Sequence, residues 1–523
     1  MFNLSKHDPI YLEIFENLYQ FIAEQMGITL QNTASSVNIK ERLDFSCAIF
    51  DQQGLLVANA PHIPVHLGSM SESVKSLIQD QGNILQPGDV YLSNNPYNGG
   101  THLPDVTAIT PSFDEAKEQI LFYVASRGHQ ADIGGVTPGS MPPQSTSILE
   151  EGILFDNFLL VKQGQFQEKE IREILENNPY PARNIEQNIA DFKAQIAANE
   201  KGLQELQNMV SQYGLETVQA YMKFVQDKAE ECVRKAIDIL TDGEFIYEMD
   251  QGAIIQIKVI IDSQKRSAII DFTGTSPQLE SNFNAPKAVT QAAVLYVFRT
   301  LVDDNIPLNA GCLKPIHLII PEGCMLNPKY PAAVVAGNVE TSQVIVDALY
   351  GALGILAASQ GTMNNFTFGN QKYQYYETIC GGSGAGINFN GTDAVQTHMT
   401  NSRLTDPEVL EFRYPVLVEQ FKIRENSGGN GQYVGGNGVI REIKFLEPMT
   451  ANILSGHRVI SPFGLAGGKP GKVGQNWVKR SDGTEEILNS TATVEMETDD
   501  TFIIKTPGGG GFGLIVDDDS YKQ

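Results

Sequence analysis

The sequence is poor in cysteine, tryptophan and positive charge. Its 523 residues hold five cysteines and one tryptophan, and 37 Lys+Arg stand against 62 Asp+Glu, a formal charge of −25. The cysteines, at 47, 232, 312, 324 and 380, are scattered and form no C-x-x-C pair. Neither a disulfide framework nor a structural zinc ribbon is indicated, and a reducing cytosol is the expected setting. The acidic balance leaves no broad basic surface to neutralise phosphates, so no nucleic acid and no anionic membrane is expected as a partner. No stretch approaches the about 18 uninterrupted apolar residues of a membrane span, and Met1 to Pro9 lacks the basic and apolar regions of a signal peptide. Nucleotide and nucleophile motifs are missing too. There is no G-x-x-x-x-G-K-[ST] loop and no G-x-S-x-G elbow. Cys47 and Cys380 have no local histidine, and Trp477 belongs to no stacking platform.

What is present suits a large folded protein, with 41% hydrophobic and 19% charged residues. The patterning predicts a mixed α/β (α+β), multidomain chain. An amphipathic helix is expected over 8–27, with Ile10, Ile14, Leu18, Phe21 and Ile22 on its apolar face and Gly27 as its C-cap. A hairpin follows over 43–57, then strands near 89–92, 106–109 and 120–125. Residues 165–240 are rich in Glu, Gln, Lys and Ala and predict a long helical segment, read as a helical hairpin packed on its own domain. The expected divisions are 1–164, an α+β domain carrying the site; 165–240, helical; 241–424, mixed α/β; and 425–523, glycine-rich and β-rich. Helices are expected over 284–301 and, fully buried, 340–360. The tail Asp517–Gln523 is expected to fray. Four glycine clusters, 381–386, 428–431, 435–438 and 508–513, read as tight turns and close backbone packing.

Two loops between expected strands carry metal-ligand types. Each is an H-x-x-D: His102-Leu103-Pro104-Asp105 and His129-Gln130-Ala131-Asp132. Imidazole with carboxylate suits Zn²⁺, Mn²⁺ or Fe²⁺. Asp44 is a candidate fourth ligand, because it heads an apolar strand-like run where an unpaired carboxylate is costly. His62 and His66 lie in a proline-broken loop and are candidates to line the same pocket. Two such matches can also arise by chance, since Asp after Pro is a common turn residue.

Read in order, a set of motifs resembles the hydantoinase B/oxoprolinase family. They are Ile39-Lys40-Glu41-Arg42-Leu43-Asp44-Phe45-Ser46-Cys47, His62-Ile63-Pro64-Val65-His66-Leu67-Gly68-Ser69-Met70, Gly100-Thr101-His102-Leu103-Pro104-Asp105, Gly337-Asn338-Val339-Glu340-Thr341-Ser342-Gln343, Thr397-His398-Met399-Thr400-Asn401-Ser402-Arg403 and Thr506-Pro507-Gly508-Gly509-Gly510-Gly511. The resemblance implies a cytoplasmic hydrolase component that acts on a small cyclic amide, 5-oxoproline or a hydantoin, after a separate A-type subunit has activated it with ATP and Mg²⁺. It implies a divalent metal held by Asp44, His102, Asp105 and His129, with Asp132 and His66 as candidates for proton transfer. A missing Walker lysine is then expected, because the nucleotide belongs to the partner. Two alternatives stay open: a metal-dependent component of an acetone-carboxylase-like enzyme, and a non-catalytic scaffold subunit.

Overall fold

The computed structural model describes residues 8–515, so the expectations for the extreme N-terminus and for Asp517–Gln523 lie outside the described residues. The chain is mixed α/β and multidomain. Helix α1 (Pro9–Thr33) and the short α2 (Val37–Lys40) lead into strands β1 (Phe45–Phe50) and β2 (Leu56–Asn59). Helix α3 (Pro64–Gln81) precedes β3 (Val90–Ser93), β4 (Asp105–Phe113), β5 (Ile120–His129), β6 (Phe158–Lys162) and β7 (Gln165–Phe166). These strands form one antiparallel sheet in the order β2-β1-β5-β4-β3-β6-β7.

Both faces of this sheet are covered, which explains why β1 reads as a continuous apolar run rather than an alternating one. Cys47 and Ile49 share a core with α1 and with α5 (Ile185–Tyr213) and α6 (Leu215–Ile237), which follow α4 (Glu168–Glu176). Ala48 and Phe50 point the other way and pack with Met70, Val74 and Leu77 of α3. Strand alternation thus sends odd and even residues of one strand into two separate cores.

Helix α1 departs from the sequence reading in two ways. It runs on to Thr33, and its buried stripe is Leu12, Phe15, Tyr19, Ile22 and Met26, while Ile10, Ile14 and Phe21 are exposed. Gly27 is not a cap but a contact: a Cβ there would stand 2.7 Å from His62 Nε2. The segment around His62 and His66 also differs. Pro64 opens α3 at its first helical position, where its missing N–H costs nothing, so His66 sits in the first turn of a helix.

Beyond α6, strands Gly243–Glu248, Ile254–Asp262, Ser267–Asp271 and Ile316–Ile319 make a four-stranded sheet. It shares a large core with α7 (Lys287–Thr300) and α8 (Ser342–Leu353). A one-turn π-helix, Gly337–Thr341, precedes α8. The C-terminal part packs a four-stranded sheet, built of Asn365–Gly369, Gln374–Thr378, Met449–Leu454 and Thr491–Met496, against a five-stranded one around a single core. The glycine clusters interlock backbone to backbone there: a Cβ on Gly508 would lie 2.0 Å from the Ser427 carbonyl oxygen, and one on Gly435 2.0 Å from that of Gly509.

Candidate metal centre

The two H-x-x-D segments meet because of the sheet register. β4 begins at Asp105, β5 ends at His129, and these two residues are direct cross-strand partners. Cross-strand partners share a face, so Asp105, Thr107, Arg127 and His129 all point to the side that carries α3. Ser46 of β1 pairs with Arg127 and joins them. From α3, His66, Ser69 and Ser73 face the same patch. The result is a buried polar island inside an otherwise apolar core.

At its centre, His102, Asp105 and His129 offer ligand atoms that all lie within 4.8 Å of one another, and all three are buried. His102 Nε2 is 3.1 Å from Asp105 Oδ2, and His129 Nδ1 is 3.2 Å from Asp105 Oδ1. Yet both ring nitrogens of His102, Nε2 of His129 and Oδ1 of Asp105 lack a well-directed hydrogen-bond partner. Buried polar atoms are rarely left in that state, and an imidazole–carboxylate set with free lone pairs fits a divalent ion.

Protonation favours the same fit. Burial pushes the Asp105 carboxyl up, but the imidazoles of His102, His66 and His129 set against it outweigh that and hold Asp105 well below the usual range. His129 is drawn down, chiefly by burial. At neutral pH Asp105 is an anion and His129 neutral, the forms in which both can donate electron pairs.

Surrounding groups orient the three. Asp105 Oδ2 accepts from Thr101 Oγ1 at 2.8 Å and from Asn338 Nδ2, in the π-helix, at 3.2 Å. The same oxygen lies 3.2 Å from His66 Nε2, whose Nδ1 is 3.3 Å from Ser46 Oγ. The Tyr376 ring stacks on His129 at 4.5 Å, and its hydroxyl donates to Asn365, which in turn donates to Glu340. Burial pushes Glu340 up to about 8 and Glu151, which lies near His102, up to about 7. Cys47, also buried, has its thiol pushed up and stays protonated.

The other sequence candidates fall at different distances. Asp44 lies outside the three-residue group, with its carboxylate 3.5 Å from Arg42 Nη1 and 3.9 Å from His129 Nδ1. Asp132 has both oxygens engaged, Oδ1 by the Gly134 and Arg183 amides and Oδ2 by the Gly139 amide and the Arg183 guanidinium at 2.8 Å. His62 accepts from the Cys47 amide and packs at a tilt against the Phe45 ring, and burial draws it down to about 4. Arg42, Arg127, Asn338 and Tyr376 were not among the sequence candidates. Arg42 and Asn338 do lie within motifs of the family resemblance, and Arg127 carries a local clue, a guanidinium inside a strand that otherwise reads apolar, whereas nothing local marks Tyr376.

Comparison with known proteins adds to this geometry. Residues 8–515 match the Hydantoinase B/oxoprolinase family model. The chain is 50% identical to 5-oxoprolinase 1 of Arabidopsis thaliana over 97% of its own length and 42% of that protein's. It is 29% identical to the B-type subunit of a putative D-/L-hydantoinase of Pseudomonas sp., over 98% of its own length and 91% of that one's. It therefore spans about two fifths of the 5-oxoprolinase relatives but nearly all of the hydantoinase component. Its fold is that of the crystal structure of an ATP-dependent caprolactamase from Pseudomonas jessenii, with a TM-score of 0.86 at 24% identity, covering 97% of this chain and 92% of that one. Among the described residues, no helix is long and apolar enough to cross a membrane.

Proposed function

Because this chain belongs to the hydantoinase B/oxoprolinase family, we propose that it is the B-type component of an ATP-dependent cyclic amidohydrolase. It opens the ring of 5-oxoproline or a hydantoin after an A-type component has phosphorylated the amide. The observation that carries the reading is the buried His102–Asp105–His129 group with its unpartnered lone pairs. A cytosolic setting belongs to the same proposal, in keeping with five unpaired cysteines.

His102, Asp105 and His129 would hold a divalent ion, with Asp44 next to them behind Arg42. Such an ion supplies Lewis acidity at neutral pH, which an unstrained amide needs even after activation. The remaining roles belong to the chain itself. Asn338 and Thr101 fix the Asp105 carboxylate, and Tyr376 fixes the plane of His129. His66 is placed to hold or pass a proton at Nε2, beside Asp105 Oδ2. Asp132 braces the 132–139 turn through Arg183 and the backbone amides.

The test pairs the purified chain with its A-type component and supplies ATP with 5-oxoproline, hydantoin, or acetone plus labelled bicarbonate. Ring-opened product and phosphate release, lost in His102→Ala and His129→Ala, are expected. Label fixed into product instead establishes a carboxylase, and turnover that survives both substitutions leaves only a scaffold.

A further inference from the structure

Buried cation sites built on carboxylates or thiolates commonly carry surplus negative charge. This one does not. Each of its two carboxylates already has a guanidinium nearby: Asp44 has Arg42 at 3.5 Å, and Asp105 has Arg127, two residues before His129 on the same face of β5. Arg127 is fully buried and donates only to hydroxyls: Nε to Thr107 at 2.7 Å, Nη1 to Ser69 at 2.6 Å and Nη2 to Ser73 at 2.8 Å. Among the described residues no carboxylate pairs with it at ion-pair distance. A guanidinium keeps its proton even when buried. The three hydroxyls satisfy its geometry but not its charge, which falls to Asp105.

The island is thus close to neutral before any ion enters, and a dication alone would bring two uncompensated positive charges into a buried medium. Glu151 offsets one at most, since its carboxylate is already held by the Val334 and Val335 amides and Ser145. Glu340 is kept protonated by burial. The missing negative charge must come with a ligand.

We propose that Arg127 makes the His102–Asp105–His129 group a site that takes a divalent cation together with an oxyanion, a carboxylate or a phosphate, rather than the cation alone. This inference rests on the reading of the group as a metal centre. By linkage, the anion must tighten the metal as much as the metal tightens the anion. A neutral amide has no charge to contribute and should leave metal affinity unchanged.

The test titrates the metal-stripped full chain with Mn²⁺, following the free ion by its paramagnetic resonance signal, in the presence of acetate, inorganic phosphate or neutral acetamide. At least one oxyanion is expected to tighten Mn²⁺ binding about tenfold, acetamide not at all, and the stronger of acetate and phosphate identifies the group recognised. Arg127→Met is expected to bind Mn²⁺ more tightly without anion and to lose most of the enhancement, while Arg127→Lys keeps it. Mn²⁺ affinity in the unmodified chain that ignores both oxyanions overturns the proposal, whether or not the variants fold. So does an enhancement that survives in Arg127→Met. A chain that takes up no Mn²⁺ overturns the metal-centre reading itself and this inference with it.

Discussion

Asp105 and His129 face each other across the β4–β5 pair, with Asp105 Oδ1 3.2 Å from His129 Nδ1 and the other carboxylate oxygen shared by His102 and His66. One carboxylate therefore organises three imidazoles. Its charge, more than its shape, should decide whether the site holds an ion.

Asp105→Asn keeps the shape and removes the charge. Loss of an orienting partner typically weakens metal binding about 10–100-fold, so if Asp105 is the direct ligand proposed above, its loss should exceed about 100-fold. Asp44→Asn, outside the three-residue group, should fall within the smaller range. Metal content after dialysis, measured by mass spectrometry on both variants, checks the order.

Glu340 gives a pH dependence with a definite sign. Burial raises its carboxyl from 4.5 to about 8, against hydrogen bonds from Thr362, Met363 and Asn365 and the charge of Arg458. The folded state then binds a proton that the unfolded chain has released, so this residue's contribution to stability falls as pH rises from about 4.5 to about 8 and is level outside that window. Glu340→Gln keeps an acceptor for Met363 and Asn365. Urea midpoints at pH 5, 7 and 9 should show the variant gaining on the original chain as pH rises. A constant difference across that range would refute the assignment.

Arg441 and Glu377 form a fully buried, two-pronged ion pair at 2.7 and 3.0 Å between the two C-terminal sheets. Removing one partner strands a buried charge, so Arg441→Met should cost about 3–5 kcal/mol. The double variant Arg441→Met/Glu377→Leu should recover most of that loss. Chemical denaturation of the three chains measures the difference.

Gly68 lies inside α3, where alanine would ordinarily gain up to about 1 kcal/mol in helix propensity. Here a Cβ would stand 2.5 Å from the Cα and Cβ of Ala292 on α7. Overpacking costs about 1–3 kcal/mol, so Gly68→Ala should lower the melting temperature rather than raise it, as calorimetry would reveal.

How much of this was legible in the sequence depends on how far apart the parts lie. The hairpin, the strands near 106 and 120 and the two H-x-x-D segments are local patterns; sheet pairing brings Asp105 and His129 together, and the tight turn before β4 adds His102. Asn338 and Tyr376 arrive from a π-helix and a C-terminal strand more than 200 residues away, and although Asn338 lies in one of the family motifs, no local pattern ties either residue to His102, Asp105 and His129. Helix α1 shows a different limit. Both Ile10-Ile14-Phe21 and Leu12-Phe15-Tyr19 have helical spacing, so periodicity identifies the helix but not the side that the sheet covers. The glycine clusters were legible as packing positions, although what they pack against, one another, was not.

The pairing of Asp105 with His129 also ties the site to the order in which the chain assembles. A slip of one residue between β4 and β5 would turn one of the two to the opposite side of the sheet, leaving no place where their donors converge. Competence to chelate is therefore a clock for the folding of the central strands: it can appear no earlier than correct registration, and any trapped isomer with a shifted sheet would be blind to metal.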